Sequence, residues 1–182
     1  MELYKNKPKR IYLDEYVYFV TSKTFDNEKV FTDRKKSLLF LETLKFLENR
    51  KDFELFAVCL LPDHFHLLVK PLKKNISEIM HDLKSYSAQK INSAYRRGIL
   101  ASHDESVRLT GEAGSLAYKG DGTGGHIHPL PVWQKSFYYH LILSDRDFTN
   151  HFNYIYYNPV KHNYVAESDD WPYLVINSEY KP

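Results

Sequence analysis

Two histidines two residues apart, His64 and His66, have the types and spacing that chemistry needs. They sit in the run Val58-Cys59-Leu60-Leu61-Pro62-Asp63-His64-Phe65-His66-Leu67-Leu68-Val69, directly after a Pro-Asp pair with turn chemistry. Side chains alternate faces along a strand, so residues i and i+2 point the same way. Two parallel imidazoles on a rigid strand form half of a metal site. The same pair also suits ordinary core or surface histidines, so a metal reading requires further groups from elsewhere in the chain.

A second set lies near the end, in Ser144-Asp145-Arg146-Asp147-Phe148-Thr149-Asn150-His151-Phe152-Asn153-Tyr154-Ile155-Tyr156-Tyr157-Asn158-Pro159. Phe148, Phe152, Ile155 and Pro159 recur at helical spacing and form its apolar stripe. At about 100° per residue, Tyr154 points well away from that stripe. Asn158, four residues on, shares the face of Tyr154, with His151 and Tyr157 on its flanks. Pro159 disfavours helical geometry at Asn158, so the last turn is expected to be distorted. Ser144 is the expected N-cap, with Asp147 favourably placed in the first turn.

The elements that must position these residues follow from patterning. Tyr16 to Thr21 is rich in β-branched and aromatic residues and reads as a strand. Thr32 is the expected cap of a helix from Asp33 to Asn49, with Leu38, Phe40, Leu41, Leu44 and Leu47 on its apolar side. Phe53 to Leu60 and His64 to Val69 read as a hairpin. Asn75 and Glu78 form a capping box for a helix that stripes Ile76, Ile79, Met80, Leu83, Ile91 and Ala94, with Gly98 as its stop. Residues 101–131 are glycine-rich and aperiodic, and read as a long flexible insertion. Order resumes at Val132-Trp133, with a strand within Phe137 to Leu143. The order is strand, helix, strand, strand, helix, strand, helix. It predicts an α+β fold, a ferredoxin-like antiparallel sheet with helices packed on it, in one domain over residues 1–182.

Composition narrows the setting. The chain of 182 residues is 43% hydrophobic, enough for one sizeable core. It has no run near the roughly 18 apolar residues of a membrane span. No apolar segment precedes a cleavage site at the start, and Cys59 has no cysteine to pair with, so a cytoplasmic protein is expected. The net charge of +2 does not by itself point to nucleic acid. Its distribution is uneven: residues 1–100 hold 19 Lys/Arg against 13 Asp/Glu, and residues 101–182 hold 6 against 10. A basic first half fits a polyanion-facing surface. Lys84, Lys90, Arg96 and Arg97 are the candidate phosphate contacts, and Lys5, Lys7, Lys9 and Arg10 a candidate basic arm.

Three motifs occur in a telling order. They are Leu61-Pro62-Asp63-His64-Phe65-His66, then Val132-Trp133-Gln134 with Phe137 and His140, then Tyr154-Ile155-Tyr156-Tyr157-Asn158-Pro159-Val160-Lys161. Together, from Tyr16 to Trp171, the chain resembles the single-tyrosine HUH transposases, and among them the REP-associated tyrosine transposases of bacteria. The resemblance implies cleavage and rejoining of single-stranded DNA near hairpin repeats. It assigns His64 and His66 as paired metal ligands on a sheet strand, and Asn158 as the polar ligand one turn after the nucleophile. That nucleophile is Tyr154, on the last main helix. It implies magnesium or manganese, no nucleotide cofactor, single-stranded or hairpin DNA as partner, and a monomer or homodimer.

The implied chemistry is coherent. Two neutral imidazoles and an amide bring no charge, so a bound dication keeps its full pull on a phosphodiester oxygen. A tyrosine that attacks phosphorus keeps the ester as a 5′-phosphotyrosine, and the released 3′-OH can reverse the reaction without ATP. A free phenol titrates near 10, at about three units above neutrality, so the tyrosine needs help in losing its proton. His140 and His151 are possible accessory groups. Two positions depart from the family: Tyr139 replaces a frequent acidic residue, and Leu143 a common basic one. A rival pair, His126 and His128, lies in the glycine-rich stretch without a supporting strand. Two other readings keep the same residues: a non-catalytic nucleic-acid-binding module on a ferredoxin-like sheet, and a small metal hydrolase.

Overall fold

A computed structural model describes residues 16–96 and 131–180. The basic arm, Gly98, Arg97, His126, His128 and nearly all of the expected insertion lie outside the described residues. The side chain of Arg96 does too.

The hairpin at the centre follows the expected boundaries closely. Strand β2 spans Phe53–Leu60 and β3 spans His64–Pro71. Leu61 N–H donates to the His64 carbonyl at 2.8 Å, closing the turn over Pro62 and Asp63. Strand β1 is Tyr18–Lys23, two residues later than its composition indicates. Pairing decides this, because β1 runs antiparallel to β3 from Tyr18↔Val69 to Lys23↔His64. Strand β4 is Tyr138–Leu141, shorter than the Phe137–Leu143 window, and pairs with the other edge of β1. A three-residue strand β5, Leu174–Ile176, adds to β2. It is too short to show alternation in sequence. The sheet order is β4-β1-β3-β2-β5, all pairs antiparallel.

Helix α1 spans Arg34–Asn49, and its cap is Asp33, not Thr32. The Asp33 carboxylate accepts from Lys35 N–H at 2.8 Å, while the Thr32 hydroxyl donates to the Lys29 carbonyl. Phe40, Leu44 and Leu47 are buried, but Leu38 faces solvent, being about 200° from Phe40 around the helix. Helix α2, Ile76–Arg96, buries all six residues of its expected stripe. Its capping box forms, with the Asn75 side chain accepting from Ser77 and Glu78 N–H and Glu78 accepting from Asn75 N–H.

Two cores result, one on each sheet face. Helices α1 and α2 cover Tyr18, Val20, Phe65, Leu67 and Val69 on one side, joined by Trp133. On the other side lie Phe19, Ala57, Cys59 and Leu68. Helix α3, Asp145–Tyr156, covers that second face with Phe152 and Ile155. His64 and His66 alternate with Phe65 and therefore belong to the α3 side.

Candidate active site

Each histidine on β3 is held through the same ring atom. The Asp63 carboxylate accepts from His64 Nδ1–H at 2.6 Å, which leaves Nε2 as the ring's ligand atom. His66 Nδ1 bonds the Thr21 hydroxyl at 2.8 Å, a contact made by the register that puts Thr21 opposite His66. The two rings lie 4.9 Å apart. His66 is 4% exposed, and its Nε2 is buried without a partner among the described residues. Burial first, and then electrostatic repulsion from the neighbouring His64, His162 and Lys161, push its pKa down to about 3. The imidazole is thus neutral at physiological pH, the form in which it can act as a ligand.

Helix α3 brings the tyrosine over this pair. The Ser144 hydroxyl caps it, accepting from Asp147 N–H at 3.2 Å, as expected from sequence. Phe152 and Ile155 anchor its inner face while Tyr154 remains 40% exposed. The Tyr154 ring lies 5.1 Å from the His66 ring and 5.7 Å from that of Phe19, nearly perpendicular to both. Lys161 Nζ stands 5.2 Å above the Tyr154 ring. The helix ends at Tyr156, and after Tyr157 a single turn, α4, spans Asn158–Lys161 with Pro159 at its start. The interruption falls at Tyr157, one residue before the expected place, and Asn158 is itself helical as the first residue of the new turn, where a proline is tolerated. Asn158 is fully buried, and neither its amide nitrogen nor its oxygen has a partner among the described residues. His162, which ends α4, places its ring 6.4 Å from that of His64.

The other sequence candidates make contacts of their own. His140 on β4 and His151 on α3 both bond Asp147. Lys84 on α2 donates to the carbonyls of Gln134, Lys135 and Ser136, so its ammonium ties α2 to the segment before β4. Lys90 is half-buried on α2. Buried Cys59 has its thiol pushed up to about 12, which fits the small apolar residue read from sequence.

Sequence reasoning missed several partners of the site. Asp63 was within reach as the neighbour of His64, and Lys161 and His162 as continuations of the Asn158-Pro159 motif. Thr21 and Phe19 carried no signal, because their roles follow from strand register.

Comparison with known proteins places this arrangement. The profile of the family described as "Transposase IS200 like" matches residues 15–102. A relative from Haemophilus influenzae named "Putative REP-associated tyrosine transposase" is 32% identical over 160 residues, 84% of this chain and 78% of that protein. The REP-associated tyrosine transposase of Escherichia coli is 45% identical over 48 residues, 26% of this chain and 29% of its own length. Among solved structures, that of a REP-associated tyrosine transposase bound to a REP hairpin superposes with a TM-score of 0.63 at 20% identity, covering 93% of this chain and 81% of that one. The last likeness establishes the fold. Fold and relatives together define a transposase, an enzyme that acts on DNA. The chain belongs to the family of REP-associated tyrosine transposases.

Proposed function

We propose that this chain cleaves and rejoins single-stranded DNA beside hairpin repeats, through a 5′-phosphotyrosine on Tyr154 and with a divalent metal held by His64, His66 and Asn158. The observation that carries the reading is a conjunction. A buried imidazole nitrogen of His66 and the buried amide of Asn158 lack partners among the described residues, and the Tyr154 ring stands 5.1 Å from that imidazole. Buried polar groups are almost always paired, so such orphans mark a place for a ligand.

The donor set fits a dication such as magnesium or manganese, with an amide oxygen and two neutral nitrogens that add no charge. Bound there, the ion would polarise the scissile phosphate. The protein's own part is positioning. Asp63 and Thr21 fix the two imidazoles, and Phe152 and Ile155 fix the helix beneath Tyr154. The exposed phenol is open to an extended polynucleotide. Its oxygen attacks phosphorus, the bond from phosphorus to the 3′ oxygen breaks, and that oxygen leaves as a hydroxyl with the proton. Lys161 then supplies a positive charge beside the phosphotyrosine. Reversal by an incoming 3′-OH restores the phosphodiester.

No helix among the described residues is long and apolar enough to cross a membrane. The test is covalent capture. With manganese and a DNA hairpin carrying a single-stranded flank, the protein forms an adduct that survives denaturation. Tyr154→Phe lowers its yield by at least about a thousandfold. An adduct of undiminished yield in that variant assigns the nucleophile elsewhere, and product release without any adduct replaces transesterification by hydrolysis.

A further inference from the structure

The second cluster of ligand-type side chains, at the far side of Phe19, has no part in the reaction above. His140 Nε2 lies 3.0 Å and 3.2 Å from the two carboxylate oxygens of Asp147. His151 Nδ1 bonds the Asp147 backbone carbonyl at 2.9 Å and lies 2.9 Å from Asp147 Oδ1. One ligand atom from each of the three falls within 4.8 Å of the others. The imidazole rings stack at 4.6 Å with 20° between their planes, which brings their nitrogens side by side over one carboxylate.

We infer that His140, Asp147 and His151 form a binding site for a zinc-type transition-metal dication, which pins the nucleophile-bearing helix α3 to strand β4. Asp147 and His151 are four residues apart on α3, the spacing that stacks two side chains on one helix face. His140 comes from β4 and completes a set of two nitrogens and one carboxylate oxygen. Such a set suits zinc and its neighbours better than magnesium. The remaining geometry resembles an outer shell. Leu143 N–H donates to Asp147 Oδ2 at 3.1 Å and so orients the carboxylate, whose Oδ1 lies nearest His151 and whose two oxygens both face His140. All three residues are half-buried, so an ion can enter and keep one or more waters.

Burial by itself would raise the Asp147 carboxyl, yet it is held below the usual range by the bonds from His140 and Leu143 N–H and by the charge of His140 and His151. Its position gives the ion a consequence. His151 is one turn before Tyr154, and the Phe19 ring touches both, at centroid separations of 4.7 Å and 5.7 Å. Crosslinking β4 to α3 would restrict the helix that presents the phenol to His66.

Zinc binding to the full chain, stripped by chelator, tests this independently of the catalytic site. In a His66→Ala background, bound zinc is counted by equilibrium dialysis. Adding Asp147→Asn or His140→Gln is expected to remove one equivalent per chain, with affinity falling more than about tenfold, the least that loss of an outer-shell partner costs. Zinc should also raise the melting temperature of His66→Ala, and not that of the double variants. An unchanged count in both folded double variants overturns the inference. A direct reading needs no further mutation: zinc should shift the ring-proton resonances of His140 and His151 in the His66→Ala protein. Absence of any shift in both overturns it equally. Failure of the covalent capture assay would leave these results standing, because they are read without DNA.

Discussion

The two faces of the sheet are built from alternate residues of the same strands, yet they are organised by different rules. On the α1 and α2 side, Phe65 packs against Phe40 at 5.0 Å and Trp133 at 5.2 Å. The one indole N–H in that layer donates to Ser87 at 3.0 Å, and Ser87 in turn donates to the Leu83 carbonyl. Apart from Ser22, the polar groups named there are paired. On the α3 side, one residue further along β3, His66 offers a buried nitrogen and Asn158 a buried amide, neither with a partner among the described residues. The first face is optimised for burial. The second carries polar groups whose desolvation nothing in the described fold offsets, an arrangement that makes sense when a ligand completes them.

This contrast can be broken by substitutions on each side. The largest effect is expected from Phe65→Ala, which should destabilise the fold by about 3–5 kcal/mol in denaturant unfolding. Any loss of activity should then track the unfolded fraction. Asn158→Leu should behave in the opposite way. Adduct formation should fall about 100-fold or more, equivalent to about 2.7 kcal/mol, while stability stays level or rises, since an unpaired buried amide gives way to an apolar group of similar size. A clear loss of stability in that variant would show that Asn158 is satisfied within the fold.

Acid should discriminate next. In metal-free protein, His66 resists protonation until about pH 3, whereas in the unfolded chain it titrates near its ordinary value of 6.5. The unfolded state therefore binds more protons between those limits. The contribution of His66 to stability is full above about pH 6.5 and is lost as pH falls toward 3. From pH 7 to 5 the loss should amount to about 2 kcal/mol, and it should be absent in His66→Gln under chelator. An equal slope in both proteins would place the acid sensitivity elsewhere.

The smallest expected effect compares helix caps. Asp33→Ala on α1 and Ser144→Ala on α3 should each cost about 1 kcal/mol in thermal unfolding. Only Ser144→Ala should also slow adduct formation under conditions where both variants are folded, because only α3 carries Tyr154.

Much of this was legible before folding. The capping box at Asn75 and Glu78, the six-residue stripe of α2 and the hairpin from Phe53 onward are local patterns, and local patterns survive into the structure. Errors arose where a choice depended on tertiary context. Thr32 and Asp33 are both good caps, and the path of the chain decided for Asp33. Leu38 is apolar but stands outside the stripe that the sheet covers. Of the site, the histidine pair, Tyr154 and an interruption of the helix near Pro159 could be read from types and spacing, but its place at Tyr157 could not.

What the sequence determined by itself was therefore the chemistry on offer: two imidazoles with a common direction, a phenol away from the apolar stripe of its helix, and an amide four residues beyond. Only the tertiary structure decided which groups meet. Antiparallel register set Thr21 against His66, and packing of α3 on the second face set the Tyr154 ring 5.1 Å from it. The same packing gathered His140, Asp147 and His151 from a strand and a helix. The physical reason is range. Periodicity and capping act over a few residues, whereas register and layer choice minimise the free energy of contacts between segments tens of residues apart, which no local window contains.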